Sequence, residues 1–358
     1  MRKMINEKLV SWIENRAKSR YPDDIAAVLV YGSYVNKTAG PKSDVDCCFI
    51  PKTDRGYEFS ADFIIDGTGY DIFPVSWERL EGIANLEESL IPFIGDSKIL
   101  YCASEEDMKR FLELRDRLGK NLADSRTVRA AAEKRILAAG GLYIGMSESC
   151  GLKEARKTAG EIIVTLADAA ALYSHTYYHF GLKKQFEDLK SIPGIPEGIS
   201  GEYLSVIESG TLQEIISHCL GMLRAVCAYT GIGFDFGAGN TKDNGGQAKV
   251  PPQTDYAGLA CLYEEISSTF NKIYECCEAG NYILAYLSAV CLQRDLDDAH
   301  RYCGAKEYDI LSMFDYKNLD MICAAAREAE SDLVRFIREG GGVIHSYKSF
   351  EEFEAAGL

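Results

Sequence analysis

VLVYGSYVNKTAGPKSDVDCCFI, residues Val28–Ile50, is the stretch from which the rest of the chain can be read. An apolar run from Ala26 to Tyr31 breaks at Gly32-Ser33, and Asp44-Val45-Asp46 opens a second apolar run. The pattern predicts a buried strand, a tight Gly-Ser turn into a short helix, a polar segment and a second strand. Side chains alternate along a strand, so Asp44 and Asp46 share one face and Val45 points away. Two carboxylates about 7 Å apart on one strand face repel each other and make poor core residues. A divalent cation relieves that repulsion, and hard oxygen ligands suit Mg²⁺.

The Gly-Ser turn at a helix start offers free backbone N–H groups and a hydroxyl, which is a phosphate cradle. A phosphate cradle beside a two-carboxylate metal site can transfer a nucleotidyl group from a nucleoside triphosphate. The bland reading is a solvated surface loop with an acidic pair. Gly-Ser, ten residues, then Asp-x-Asp resembles the signature of the polymerase-β-like nucleotidyltransferase superfamily. That resemblance implies a third metal carboxylate from a later strand. Phe63-Ile64-Ile65 and Tyr70–Val75, joined by Asp66-Gly67-Thr68-Gly69, read as a hairpin. Asp71 sits inside its second run, where an acid is costly without a partner. Asp62 and Asp66 are rivals, but they fit a strand entrance and a turn.

The chain has 358 residues, enough for two or three domains, with 47% hydrophobic and 26% charged residues, as in ordinary globular proteins. No apolar run approaches a membrane span. The N-terminus reads as an amphipathic helix start and not a signal peptide. The twelve cysteines include no Cys-x-x-Cys pair and lie mostly in apolar segments. They read as reduced core cysteines of a cytoplasmic protein, not as disulfides or a zinc site. The net charge of −15 repels nucleic acid and mildly favours a cationic small molecule as acceptor, although solubility explains it equally well.

Ile5, Leu9, Trp12 and Ile13 are spaced for a helix over residues 5–19. Ser76 opens a short helix to Ile83, Lys98–Cys102 reads as a strand, and Ser104 opens a helix running to about Leu118. From Thr127 the helical period takes over, at about 127–148, 153–180 and 211–230, with a Pro/Gly loop at 191–201 between the last two. Asp235–Pro252 reads as a glycine-rich linker. Helices resume at about 256–279, 281–298 and 317–339. An edge strand is expected within Val343–Tyr347 and a short capped helix from Ser349. The expected fold class is α+β: a catalytic domain with a mixed sheet and flanking helices (1–122), a helical substrate-binding domain (123–234) and an additional helical domain (253–358).

A closer resemblance lies in Gly32-Ser33-x3-Lys37-Thr38-x-Gly40-Pro41-x-Ser43-Asp44-Val45-Asp46, in Tyr70-Asp71-Ile72 and in residues 193–230 with Glu208-Ser209-Gly210. These are similar to the kanamycin nucleotidyltransferase family over residues 25–232. The family implies Mg²⁺-dependent transfer of AMP from ATP onto an aminoglycoside hydroxyl, an antibiotic-resistance activity, in a site between sheet and helices. Carried over, Asp44, Asp46 and Asp71 are the catalytic metal ligands, and Gly32, Ser33, Lys37 and Ser43 contact the nucleotide. The family's phosphate-contacting arginine falls on Asn36, with Lys37 adjacent as a point charge. Its general-base glutamate falls on Leu137 and a nucleotide-contacting lysine on Gly141, leaving Glu133, Glu148 and Glu161 as replacements.

His175 and His179, four apart on an expected helix, would share a face but lack a third ligand. They read as surface or core histidines. Tyr173, Tyr177 and Tyr178 beside them fit either an acceptor pocket or packing. Two other function classes stay open. One is a protein-modifying adenylyltransferase like the antitoxins of the superfamily, and the other is an inactive nucleotide-binding scaffold. An acidic acceptor pocket favours the small-molecule enzyme, and an exposed apolar patch the protein-modifying one. The role of residues 253–358 and the oligomeric state are not legible, although that block could cover a surface that simpler relatives use to dimerise.

Overall fold

The computed structural model describes residues 2–37, 40, 43–148, 151–235 and 254–357. Four residues of the Gly40 loop, and the expected linker after Asp235, lie outside the described residues. The apolar run becomes β1 (Ile25–Tyr31), whose first six residues are buried. It is central, between β2 (Asp46–Pro51) and β5 (Lys98–Cys102). A strand covered on both faces has no need of polar alternation, so the run is continuous. The hairpin appears as β3 (Ala61–Ile65) and β4 (Thr68–Pro74), and a two-residue strand β6 (Ser346–Tyr347) joins its outer edge. The sheet order is β5-β1-β2-β4-β3-β6. The β2–β4 and β3–β6 pairs are parallel and the others antiparallel.

Alternation divides the sheet between two cores. Val28, Val30, Cys47, Phe49, Tyr70 and Ile72 pack against α1 (Arg2–Arg20) through Ile5, Leu9 and Ile13. Ala27, Leu29, Cys48 and Ile50 face the other way, against α3 (Trp77–Ala84) and α5 (Glu105–Ala123). Ser76 caps α3 and Ser104 caps α5 as expected, each side chain accepting a backbone N–H in the first turn. The short helix after the Gly-Ser turn is α2 (Gly32–Val35), and α4 (Pro92–Gly95) precedes β5.

The rest is helical: α6 (Ser125–Glu148), α7 (Leu152–Tyr173), α8 (Gln185–Ser191), α9 (Glu197–Glu208), α10 (Leu212–Thr230), α11 (Tyr256–Glu278), α12 (Tyr282–Asp298) and α13 (Asp320–Glu339). Helices before residue 235 and after residue 254 share one apolar core, with Ile163, Leu166, Leu223, Phe270, Leu287 and Leu333 all buried in it. The last helix, α14 (Phe350–Ala356), returns to the sheet and packs Phe350 and Phe353 into the core under α1.

Two expectations change. The helix expected to 180 stops at Tyr173, where the Ser174 hydroxyl donates to the Ala170 carbonyl (2.8 Å) and His175 takes a left-handed φ of 61°. His175 and His179 therefore do not share a helix face. His175 Nδ1 meets the Leu122 carbonyl, and His179 Nδ1 pairs with Asp96. The Pro/Gly loop holds the start of α9, because Pro196 is followed by residues free to coil.

Candidate active site

The strand register builds the site. Tyr31 on β1 stands opposite Asp46 on β2, and Asp71 on β4 stands opposite Asp62 on β3. The parallel pair Cys47–Ile72 places Asp46 beside Asp71 one residue earlier on each strand. Tyr31, Asp46, Asp71 and Asp62 thus form one row across four strands, about 4.8 Å apart. The second strand, expected from Asp44, starts only at Asp46, so Asp44 sits in the segment leading into β2 and still lines the same cavity. Asn6 of α1, itself buried, steadies this approach: its amide donates to the Ser43 carbonyl (3.1 Å), and its oxygen accepts from the Tyr70 hydroxyl (2.7 Å).

A cavity of about 180 Å³ opens over the row, lined by Tyr31, Asp44, Asp46, Asp71, Phe73 and, from the far helices, Glu265, Ser268, Thr269 and Asp295. It has room for reacting groups and a few waters, each about 30 Å³, but not for a whole nucleotide. The roof is α11, which lies on the β3–β4 hairpin. A Cβ on Gly69 would meet the Ser267 hydroxyl at 2.2 Å and the Glu264 carbonyl at 2.3 Å, so only glycine admits the helix there. Asn271 fastens the same helix to the turn, donating to the Gly67 carbonyl (2.6 Å).

Electrostatics divide the cavity. Burial raises the Asp44 carboxyl, while Lys272, its own backbone, Ser268 and Lys183 oppose the rise. Asp46 is pushed up to about 7 by burial and by Asp44, against the pull of Lys272 and a hydrogen bond from the Ser33 backbone. Asp71 is pushed up to about 9 by burial, then by Asp62 and Glu265. Cationic neighbours therefore gather at Asp44 and anionic ones at Asp71. A row of desolvated carboxylates wants positive charge, and its oxygen donors suit Mg²⁺. Yet among the described residues no three acidic, histidine or cysteine side chains converge as a ready-made shell. Asp46 is held by Ser33 and Asp71 by Asp62, so these side chains would turn to take a cation.

The structure brings Asp44, Asp46 and Asp71 together. Gly32 and Ser33 border Asp46. Gly32 has φ 67°, and a Cβ there would stand 1.9 Å from Asp46 Oδ2. Lys37 is exposed with φ 57°, and the Ser43 hydroxyl is engaged by the Gly40 N–H (2.7 Å); neither lines the cavity. Glu133 is exposed on α6, Glu161 is half-buried on α7 away from the cavity lining, and the Glu148 side chain lies outside what is described. The residues that sequence reasoning missed are Asn6, Asp295 and the α11 group. The signal for that group was present: Glu265, Ser268, Thr269 and Lys272 recur at i, i+3, i+4 and i+7, the spacing of one helix face.

Residues 10–93 match the family model described as "Nucleotidyltransferase domain". This part of the chain is a nucleotidyltransferase domain. The match spans β1–β4 and hence every carboxylate of the row, and it supports a nucleotidyltransferase enzyme. A solved nucleotidyltransferase-like protein from Exiguobacterium sibiricum is similar at 12% identity and a TM-score of 0.34, over 60% of this chain and 75% of that one. No curated protein matches. Around the nucleotidyltransferase domain, no described helix is long and apolar enough to cross a membrane.

Proposed function

We propose that the protein moves AMP from ATP onto a hydroxyl of a small cationic molecule, of which an aminoglycoside is one candidate, in a Mg²⁺-dependent reaction in the cytoplasm. The observation that carries this reading is the row of Asp46, Asp71 and Asp62, with Asp44 beside it, under a helix that adds Glu265. Asp44, Asp46 and Asp71 would hold the cation, which when bound supplies positive charge against the triphosphate. Ser33 and the α2 N–H groups orient the phosphates once Asp46 releases them. The acceptor oxygen attacks the α-phosphorus, the bond to the β-phosphate breaks, and pyrophosphate leaves. Glu265 takes the hydroxyl proton; burial and Asp295 raise its carboxyl, which strengthens it as a base. It thus fills the role for which Glu133, Glu148 and Glu161 are the sequence candidates.

Glu265 and Asp295 make the acceptor end of the cavity acidic, which supports a cationic small molecule over a protein acceptor. The catalytic unit is taken as residues 1–122, with the helical blocks 123–234 and 253–358 closing over it. The test is purified protein with Mg²⁺, each labelled nucleoside triphosphate, and a panel of aminoglycosides and other polyols. A gain of one nucleotide mass on a panel member, with pyrophosphate release, supports the reading. Release without a modified panel member points to another acceptor, and no nucleotide turnover with any triphosphate overturns it.

A further inference from the structure

Every described cysteine is a free thiol, but two of them meet across a helix pair. The helices α11 and α13 pack antiparallel. Tyr256 meets Phe336 at one end, with ring centroids 5.3 Å apart. Near the other end the Arg327 guanidinium stands 4.3 Å from the Tyr274 ring centroid, and the Tyr274 hydroxyl donates to Glu330 (2.7 Å). Cys277 lies three residues after Tyr274 and Cys323 four before Arg327, so each continues its helix face by one turn. The register thus sets Cys277 opposite Cys323, and the two thiols share a hydrogen bond. Arg327 also hydrogen-bonds the Cys323 sulfur. Both cysteines are half-buried, whereas Cys276 beside them is buried. Arg327 gives Cys323 the cationic neighbour that attacking thiolates keep. Burial, then the charge of Cys323, pushes the Cys277 thiol up to about 12, so Cys277 is the thiol that reacts second.

We propose that Cys277 and Cys323 are a reversible thiol–disulfide pair, oxidised by small-molecule disulfides, whose bond staples α11 to α13. The Cys323 thiolate attacks one sulfur of the small disulfide. That S–S bond breaks, a mixed disulfide forms on Cys323, and one small thiolate leaves. Cys277 then gives its proton to solvent and attacks the Cys323 sulfur, and the second small thiolate leaves. Two protein thiols are oxidised, and one small disulfide is reduced to two thiols. The first step also removes the Cys323 charge that opposes ionisation of Cys277. Because α11 carries Glu265, Ser268 and Thr269 of the cavity lining, the staple holds the helix that roofs the carboxylate row.

The test is the full chain incubated with oxidised glutathione, followed by intact mass, peptide mapping and thermal denaturation. Cys261 is exposed, and its glutathione adduct reports that the oxidant has acted. The expected result is a peptide linking Cys277 to Cys323 and a melting temperature a few degrees higher, because the bond restricts the unfolded chain. Dithiothreitol reverses both. Cys277→Ser is expected to trap the mixed disulfide on Cys323, Cys323→Ser to lose the cross-link, and Cys276→Ser to keep it. In a sample whose Cys261 is modified, Cys277 and Cys323 left as thiols, or each carrying its own glutathione, overturn the inference. A cross-link that lowers the melting temperature also overturns it, because the helices would then have to part to make the bond.

Discussion

Gly32 and Asp46 are in contact so close that no side chain fits between them: a Cβ on Gly32 would stand 1.9 Å from Asp46 Oδ2. Gly32→Ala therefore has two effects. Its left-handed φ of 67° costs about 1 kcal/mol in any L-residue, and its methyl drives the Asp46 carboxylate from its place. The expected outcome is a drop in pyrophosphate release of at least about tenfold with a far-UV spectrum like wild type. Wild-type turnover would show that Asp46 need not stay where it is.

Asp44→Asn and Asp46→Asn remove one negative charge each and keep the shape. Loss of a metal ligand removes several kcal/mol of transition-state stabilisation, so at least about a thousandfold loss of turnover is expected. The measurement is the initial rate at saturating Mg²⁺, and turnover within tenfold of wild type in either variant would exclude that residue from the metal site.

Gly69→Val tests the roof. Its side chain would overlap the Ser267 hydroxyl and the Glu264 carbonyl, and a backbone atom cannot swing aside. Overpacking of this kind costs about 1–3 kcal/mol. A lower melting temperature and loss of pyrophosphate release are expected together, because the helix displaced from the hairpin carries Glu265, Ser268 and Thr269 of the cavity lining. Unchanged release would mean that the roof is dispensable for turnover.

Asn6→Leu keeps a residue of similar size in a buried place but removes the amide that accepts from the Tyr70 hydroxyl and donates to the Ser43 carbonyl. An unsatisfied buried group costs about 1–3 kcal/mol. Urea denaturation is the measurement; a stability equal to wild type would mean water replaces the amide.

His179 gives a pH signature. Its hydrogen bond to Asp96 raises the imidazole pKa against the opposing effect of burial. A histidine pKa raised by folding contributes stability that is full below the unfolded value and fades as pH rises through the folded one. The His179 side chain is 49% exposed, so solvent screens the pair and the effect is small. The melting-temperature gap between wild type and His179→Gln should be larger at about pH 5.5 than at about pH 8.5, on either side of the imidazole titration. A gap independent of pH would assign the contact no charge.

The sequence made the sheet and its acids legible because both depend on local pattern. Ala26–Tyr31 is a run too apolar for anything but a buried strand, Asp46 opens the next strand with Asp44 just before it, and Asp71 interrupts a strand where an acid is costly. The helix expected over 153–180 overruns Ser174 because apolar spacing carries no stop signal there; the hydroxyl and the backbone N–H of Ser174 both donate to the Ala170 carbonyl and close the helix end. The roof was illegible for a different reason. Nothing near Gly69 names Glu264, and nothing near Glu265 names Asp71. Their contact is set by packing across the shared helical core, and a pattern read along the chain does not report partners 200 positions away. The polar stripe on α11 was visible, but a stripe alone does not say what it faces.

The strand β6 and the helix α11 give the protein an order of assembly. During synthesis the carboxylate row emerges early, yet the helix above it leaves the ribosome only after some 280 residues, and the outermost strand later still. Contacts this far apart in sequence are the slow ones to form. The row of acids on β2–β4 thus stays uncovered until α11, about 200 residues downstream, packs onto the hairpin, so a closed cavity is a late product of folding.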